Sequence, residues 1–209
     1  MKAEAKTKKF INDGNAQARR LPLFPLGTSL FPGVTMALQI FEPRYLNMIA
    51  RQLKREESFG LVTIKEGAEV GKAPSIYPFG VEVEIVDWYQ QSNQLLGIKV
   101  CGKRVFEVID QEIESDQLMM GTIKELKADG PEPIPADHDG LQNLLEELKR
   151  HPALAEMDLP EPSTAGQLSS QLAQLLPLST PVKMTAMQID NSIQRLDFLA
   201  EQIRLLAEA

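Results

Sequence analysis

In GVEVEIVDW, Val81, Val83 and Ile85 alternate with Glu82 and Glu84. That is the period-two signature of a strand with one buried face. After Tyr89, QSNQ supplies turn residues and LLGIKV reads as the returning strand. Gly102 and Lys103 read as a further turn before RVFEVIDQEI. FGLVTIKE, LMMGTIKEL, LPLFPLG and MALQI bring the set to roughly six or seven short strands, the makings of a barrel or sandwich.

The pattern changes near residue 128. ADGPEPIPAD, residues 128–137, carries three prolines among acids and continues neither helix nor sheet. Beyond it the apolar spacing is helical. Asp139 with Gln142 reads as a capping box before Leu141, Leu144, Leu145 and Leu148. Lys149, Arg150 and His151 suit the negative end of that helix, and Pro152 stops it. Thr164 with Gln167 repeats the signal before Leu168, Leu172, Leu175 and Leu176. Thr180–Pro181 starts a third helix and Asn191 with Gln194 a fourth, whose stripe is Ile193, Leu196, Ala200, Ile203 and Ala207. The expected organisation is a basic tail over 1–20, a β-rich part over 21–127, a linker over 128–138 and a bundle of amphipathic helices over 139–209.

Composition narrows the class. A chain of 209 residues buries about 70% of its unfolded surface and sustains a core without disulfides or metals. The single cysteine, Cys101, forms no internal disulfide and reads as a small hydrophobe in a strand, which fits a reducing compartment. No apolar run approaches the ~20 residues of a membrane-spanning helix. The N-terminus has lysines but no apolar run behind them, so a secretory signal is not expected and a cytoplasmic address is. Charge is uneven: of 22 basic and 29 acidic residues, the first 20 positions hold six and two. The remainder carries 16 against 27, a net charge of −11, which repels a phosphate backbone.

QIFEPRYLNMI, residues 39–49, gathers an acid, a base and a phenol: Glu42, Arg44 and Tyr45 around Pro43. Proline suits a helix's first turn. Glu42 then lies at or just before the cap, where its carboxylate can interact with free backbone N–H groups and the helix dipole. Leu46, Ile49, Ala50 and Leu53 follow as an apolar stripe. The motif reads as a structural junction between a strand and one inserted helix.

LPLFPLGTSLFPGVTMALQIFEPRYLNMI resembles the opening of the N-terminal substrate-binding domain of the ATP-dependent Lon proteases. GVEVEIVDW and VCGKRVFEV resemble that family's later strands, and LSSQLAQLLPLSTPVKMTAMQIDNSIQRLDFLAEQI its helical end. The resemblance runs from about residue 19 to 209. It implies an α+β chain: a PUA-like β pseudobarrel with one inserted helix, then a C-terminal helical bundle. It also implies polypeptide recognition without the family's ATPase and protease domains.

Catalytic motifs fail on inspection. EGAEVGKA has Glu66 where a phosphate loop needs glycine and Ala73 where it needs a hydroxyl. Ser163 precedes a helix cap. His138 and His151 lie in the linker and at a helix end, without metal-ligand spacing. No catalytic residue, metal or cofactor is expected. Phe31 in the LFPG turn, with Trp88 and Tyr89 at the hairpin, are the candidate polypeptide contacts. Met119 and Met120 are adjacent, so only one faces inward. The expected partner is unfolded polypeptide or a protein, with an adaptor or chaperone-like role. The alternatives are an RNA-binding PUA-like module, which the acidic body disfavours, and a small-molecule enzyme using the barrel–bundle cleft.

Overall fold

A computed structural model describes residues 18–90, 95–154, 157 and 159–208. Most of the basic tail lies outside them. The chain is α+β: a mixed six-stranded sheet with one helix inside the strand region and four after it, among the described residues. The strands are β1 (Arg19–Leu26), β2 (Thr35–Ile40), β3 (Phe59–Glu66), β4 (Ser75–Gln90), β5 (Leu96–Ile113) and β6 (Met119–Glu125). The helices are α1 (Pro43–Arg55), α2 (Asp139–Lys149), α3 (Ala165–Leu175), α4 (Thr180–Gln188) and α5 (Ser192–Ala207). No described helix is long and apolar enough to cross a membrane.

Long β5 organises the sheet. Its first half, Leu96–Cys101, pairs with β2 and its second half, Phe106–Ile113, with β6, while β4 runs along the other edge. The strand order β2-β5-β4-β3-β1-β6, with β5 also on β6, returns the pairing to its start. The expected turn at Gly102–Lys103 is therefore corrected. Val83 pairs with Gly102 and Glu82 with Arg104, so Lys103 is an extra residue within one continuous strand. Such a bulge bends a strand without ending it. Gly102 N–H donates to the Val34 carbonyl at 2.9 Å and Gly33 N–H to the Gly102 carbonyl at 2.8 Å, so the 27–34 loop is stitched to the bend.

Phe31 is the second correction. It is not an exposed contact but part of the core, 1% exposed. Gln174 of α3 holds its loop: Phe31 N–H donates to Gln174 Oε1 and Gln174 Nε2 donates to the Ser29 carbonyl, each at 3.1 Å. The expected tail boundary also moves, because Arg19 and Arg20 open β1. Arg19 pairs with Glu82 at 2.5 Å and with Glu125 at 3.0 Å, and Arg20 meets Glu112.

One apolar cluster takes in Phe24, Phe31, Tyr45, Phe59 and Val100 from the strand part and Leu145, Leu168, Leu172, Leu196 and Leu199 from the helices. The sheet and the helices thus share a core. A smaller cluster packs Leu21, Leu23, Val62, Phe106, Met119 and Ile123 between the strands. Met119 is buried and Met120 half-buried. Cys101 is half-buried rather than enclosed.

Local signals in the helical region are partly realised. Thr164 Oγ1 accepts from Gln167 N–H at 3.3 Å, and Asn191 Oδ1 accepts from Ile193 and Gln194 N–H at 3.0 Å each. The box at Asp139 is not formed. A 3₁₀ turn, Ala136–His138, leads straight into α2, whose cap position is His138. The His138 ring is buried between Asp137 and Asp197, each at 3.0 Å. α4 starts at Thr180–Pro181 as expected, with Ser179 at the cap position making no side-chain cap hydrogen bond. The 128–137 stretch is irregular up to that turn, yet it is pinned: Ala165 N–H donates to the Glu132 carbonyl, and Asp129 pairs with Arg195 of α5 at 2.5 Å.

Candidate functional site

α1 begins at Pro43 with Glu42 at its cap position, as the sequence motif predicts. Glu42 makes no side-chain cap hydrogen bond. Its carboxylate instead pairs with Arg44 Nη2 at 2.9 Å, and Arg44 Nη1 donates to the Gln117 carbonyl at 3.1 Å. Arg44 is itself buried and lies 4.7 Å from the centre of the Tyr45 ring. The buried face of α1 is Arg44, Tyr45, Met48, Ile49 and Gln52, one step round from the expected stripe, and Ala50 is exposed. The reason lies at the junction, where Tyr45 turns inward to pack on Phe24 with ring centroids 4.2 Å apart.

This packing marks a seam. β6 covers β1 only from Arg19 to Leu23, so the same edge stands open at Phe24–Leu26. β2 pairs with β5 alone among the described strands, so its outer edge is open as well. Between the two edges lies a groove of about 250 Å³, floored by Phe24, Leu26, Leu38, Ile40 and Tyr45. Phe41, just past β2, and Val70, on the β3–β4 loop, stand exposed at its rim, 51% and 56% respectively. Glu69 Oε1 accepts from Gly27 N–H at 2.6 Å and holds that loop against the end of β1. Among the described residues, Glu42 and Glu69 are the only charged ones lining the groove, both acidic.

Burial pushes the Tyr45 phenol up to about 12, with Arg44 opposing and Glu42 and Glu69 adding to the shift. A phenol raised above its unfolded value of ~10 favours the fold while protonated. That stabilisation is fully present below pH ~10 and is lost as pH rises toward ~12. We expect roughly 2 kcal/mol to disappear across that window in urea titrations. Tyr45→Phe should flatten this part of the profile and change stability little at neutral pH. An alkaline limb identical in both proteins would contradict the assignment.

Trp88 and Tyr89 stand apart from the groove. Trp88 pairs with Ile98, which in turn pairs with Leu38, placing it two strands, or roughly 10 Å, from the β2 row. It is 62% exposed. Tyr89 faces Gly97, where a Cβ would fall 2.5 Å from its Cε2, so the ring lies directly on the bare strand. The structure thus brings Glu42 and Tyr45 to the groove, leaves Trp88 and Tyr89 on the hairpin arm and buries Phe31. Phe41, Val70 and the open edge of β2 escaped the sequence reading. Phe41 alone left a signal, a large apolar side chain past the end of a strand and next to Glu-Pro.

A second cavity, about 470 Å³, lies between the sheet bend and the helices, with Gly33, Arg104, Asp129, Gly166 and Arg195 among its walls. Arg195 is fully engaged there: beyond Asp129, its Nε donates to Ser169 Oγ at 2.9 Å and its Nη1 to the Ile189 carbonyl at 3.0 Å. Among the described residues, no group of three or more His, Cys, Asp or Glu is placed to hold a metal ion.

Residues 20–204 match the model of the ATP-dependent protease La (LON) substrate-binding domain. The chain is 26% identical over 130 residues to the Lon protease of Parabacteroides distasonis, covering 61% of this chain and 16% of that protein. It is 23% identical over 170 residues to protein cereblon of Xenopus tropicalis, covering 78% of this chain and 30% of that one. It therefore spans under a third of either relative. Among solved structures, the Lon N-terminal domain protein from Xanthomonas campestris superposes with a TM-score of 0.71 at 29% identity, over 88% of this chain and 98% of that one. The N-terminal domain of Mycobacterium avium complex Lon protease gives 0.59 at 14% identity, over 88% and 97%, a likeness of fold. The chain belongs to the LON substrate-binding domain family.

Proposed function

We propose that this chain recognises polypeptide as a non-catalytic module, in an adaptor or chaperone-like role, and does so at the β1–β2 seam. The observation that carries this reading is the groove beside β2, an apolar floor of Phe24, Leu38 and Tyr45 opening between two unpaired strand edges. Membership of a substrate-binding domain family supports it. Trp88 and Tyr89 serve as a second apolar contact on the hairpin arm. In this reading the strand circuit is a PUA-like pseudobarrel, residues 139–209 are its bundle, and 128–138 is the connector. A cytoplasmic address accords with the lone Cys101.

Binding is weak, because an unstructured ligand loses chain entropy when it is ordered. It is also apolar, so affinity should change little with salt, whereas phosphate recognition would fall steeply. The test titrates a labelled, permanently unfolded polypeptide with the protein at low and high salt. Trp88 is the only tryptophan, so its emission independently reports whether the hairpin arm is covered. Saturable binding at both salt concentrations is expected. No saturable signal would remove the reading, and binding lost at high salt would reassign it to the basic N-terminal residues.

A further inference from the structure

We infer that the occupant of the seam is an extended polypeptide segment that adds to the free edge of β2 as a new strand, with apolar side chains at alternate positions and basic residues between or beside them. This rests on the proposed polypeptide recognition and specifies its form. The edge itself is the first observation. Natural edge strands are guarded by charges, prolines or inward-turned bulges against pairing with other chains. TMALQI, residues 35–40, has no charged residue and no proline, and no described strand covers its outer side.

The backbone is set for pairing. Gly102 N–H donates to the Val34 carbonyl. Alternation along an antiparallel ladder then turns the amides of Met36, Leu38 and Ile40 toward β5, and those of Thr35, Ala37 and Gln39 outward. A strand laid there gains main-chain hydrogen bonds without regard to sequence, and its alternate side chains supply selectivity. Those on the Leu38–Ile40 face enter the groove over Phe24 and Tyr45. At about 250 Å³ the groove is smaller than a site for a drug-sized ligand, which suits single side chains of an extended segment.

Charge names the rest of the occupant. Among the described residues the groove's charged lining is acidic only: Glu69, and Glu42, which Arg44 partly offsets from behind, on a chain whose net charge is −11 beyond its first 20 residues. Lysine or arginine flanking the apolar positions complements that rim, and acidic segments are repelled.

The test uses the full chain and a short labelled peptide alternating valine with lysine, made in two further forms. One is N-methylated on the even backbone amides, the other on the odd ones. Only one set of amides faces β2 in an added strand. One form should therefore lose roughly tenfold or more in affinity by fluorescence anisotropy, and the other should stay within about twofold. Phe41→Ser and Val70→Ser change exposed side chains without adding charge; both should weaken the peptide without shifting the thermal melt. Equal affinity of both methylated forms would overturn the inference, and if the unfolded polypeptide still bound, polypeptide recognition itself would stand. Failure of the polypeptide as well would remove both. Tighter peptide binding after deletion of residues 1–17 would assign the edge to the chain's own N-terminal segment and overturn an external occupant.

Discussion

Arg195→Ala should lose about 3 kcal/mol of stability, a drop of roughly 6–12 °C in melting temperature for a chain of this size. Arg195 is 6% exposed and uses its guanidinium on three elements at once: Asp129 of the connector, Ser169 of α3 and the Ile189 carbonyl between α4 and α5. Truncation leaves the Asp129 carboxylate partly buried, its side chain 23% exposed, without its cation. Removing one member of a buried pair is costly for that reason, and the partial access of water at Asp129 keeps the loss toward the lower end. The carboxylate also lies against the first turn of α3, where a Cβ on Gly166 would fall 2.8 Å from Asp129 Oδ2, so it complements the positive end of that helix. Arg195→Lys should recover little, because an ammonium cannot present a planar fork to three acceptors. Asp129→Asn should also cost stability, because it leaves the buried Arg195 guanidinium without its anion, although the amide oxygen can still accept the Nη2 hydrogen bond. Urea unfolding measures all three. A loss below about 1 kcal/mol for Arg195→Ala would show that the helices are not anchored through this residue.

Gly80→Ala should be similarly damaging, at about 3 kcal/mol. A methyl group there would sit 2.6 Å from the Leu61 carbonyl oxygen, 2.7 Å from Phe106 Cζ and 2.8 Å from Val62 Cγ1. The first obstacle is backbone in the neighbouring strand β3, so rotating a side chain gives no relief. Gly60, across the same strand pair, also lies 2.7 Å from the Phe106 ring by the same measure, so the ring rests on two glycines and fills the small core between the strands. Gly140→Ala is the control. It lies in the first turn of α2 with nothing within 4 Å of the added methyl, and alanine there should stabilise by about 0.5–1 kcal/mol. Comparable melting temperatures for the two variants would contradict the packing described for Phe106.

The sequence revealed those features that local chemistry determines. Val81, Val83 and Ile85 alternate because one face of β4 is buried, and Thr164 and Asn191 cap helices through atoms three residues away or fewer. Gly102–Lys103 misled because glycine followed by a polar residue is a local turn signal, whereas the outcome depended on two partners, β2 and β6, competing for one edge of β5. Phe31 misled for a similar reason. Its burial depends on Gln174, 143 positions along the chain. The seam left almost no trace, since it arises where β6 ends opposite Leu23 and where β2 finds no second neighbour, neither of which is a property of any one segment.

Those two edges also define the most direct test of polypeptide recognition at the seam. Backbone hydrogen exchange would be mapped by mass spectrometry with and without a saturating, permanently unfolded polypeptide. Slowed exchange is predicted across residues 35–41 and 67–72, with the strongest protection on the outward amides of Ala37 and Gln39. Protection confined to residues 126–131 and 189–195, which wall the cavity between sheet and helices, with none on β2, would contradict it.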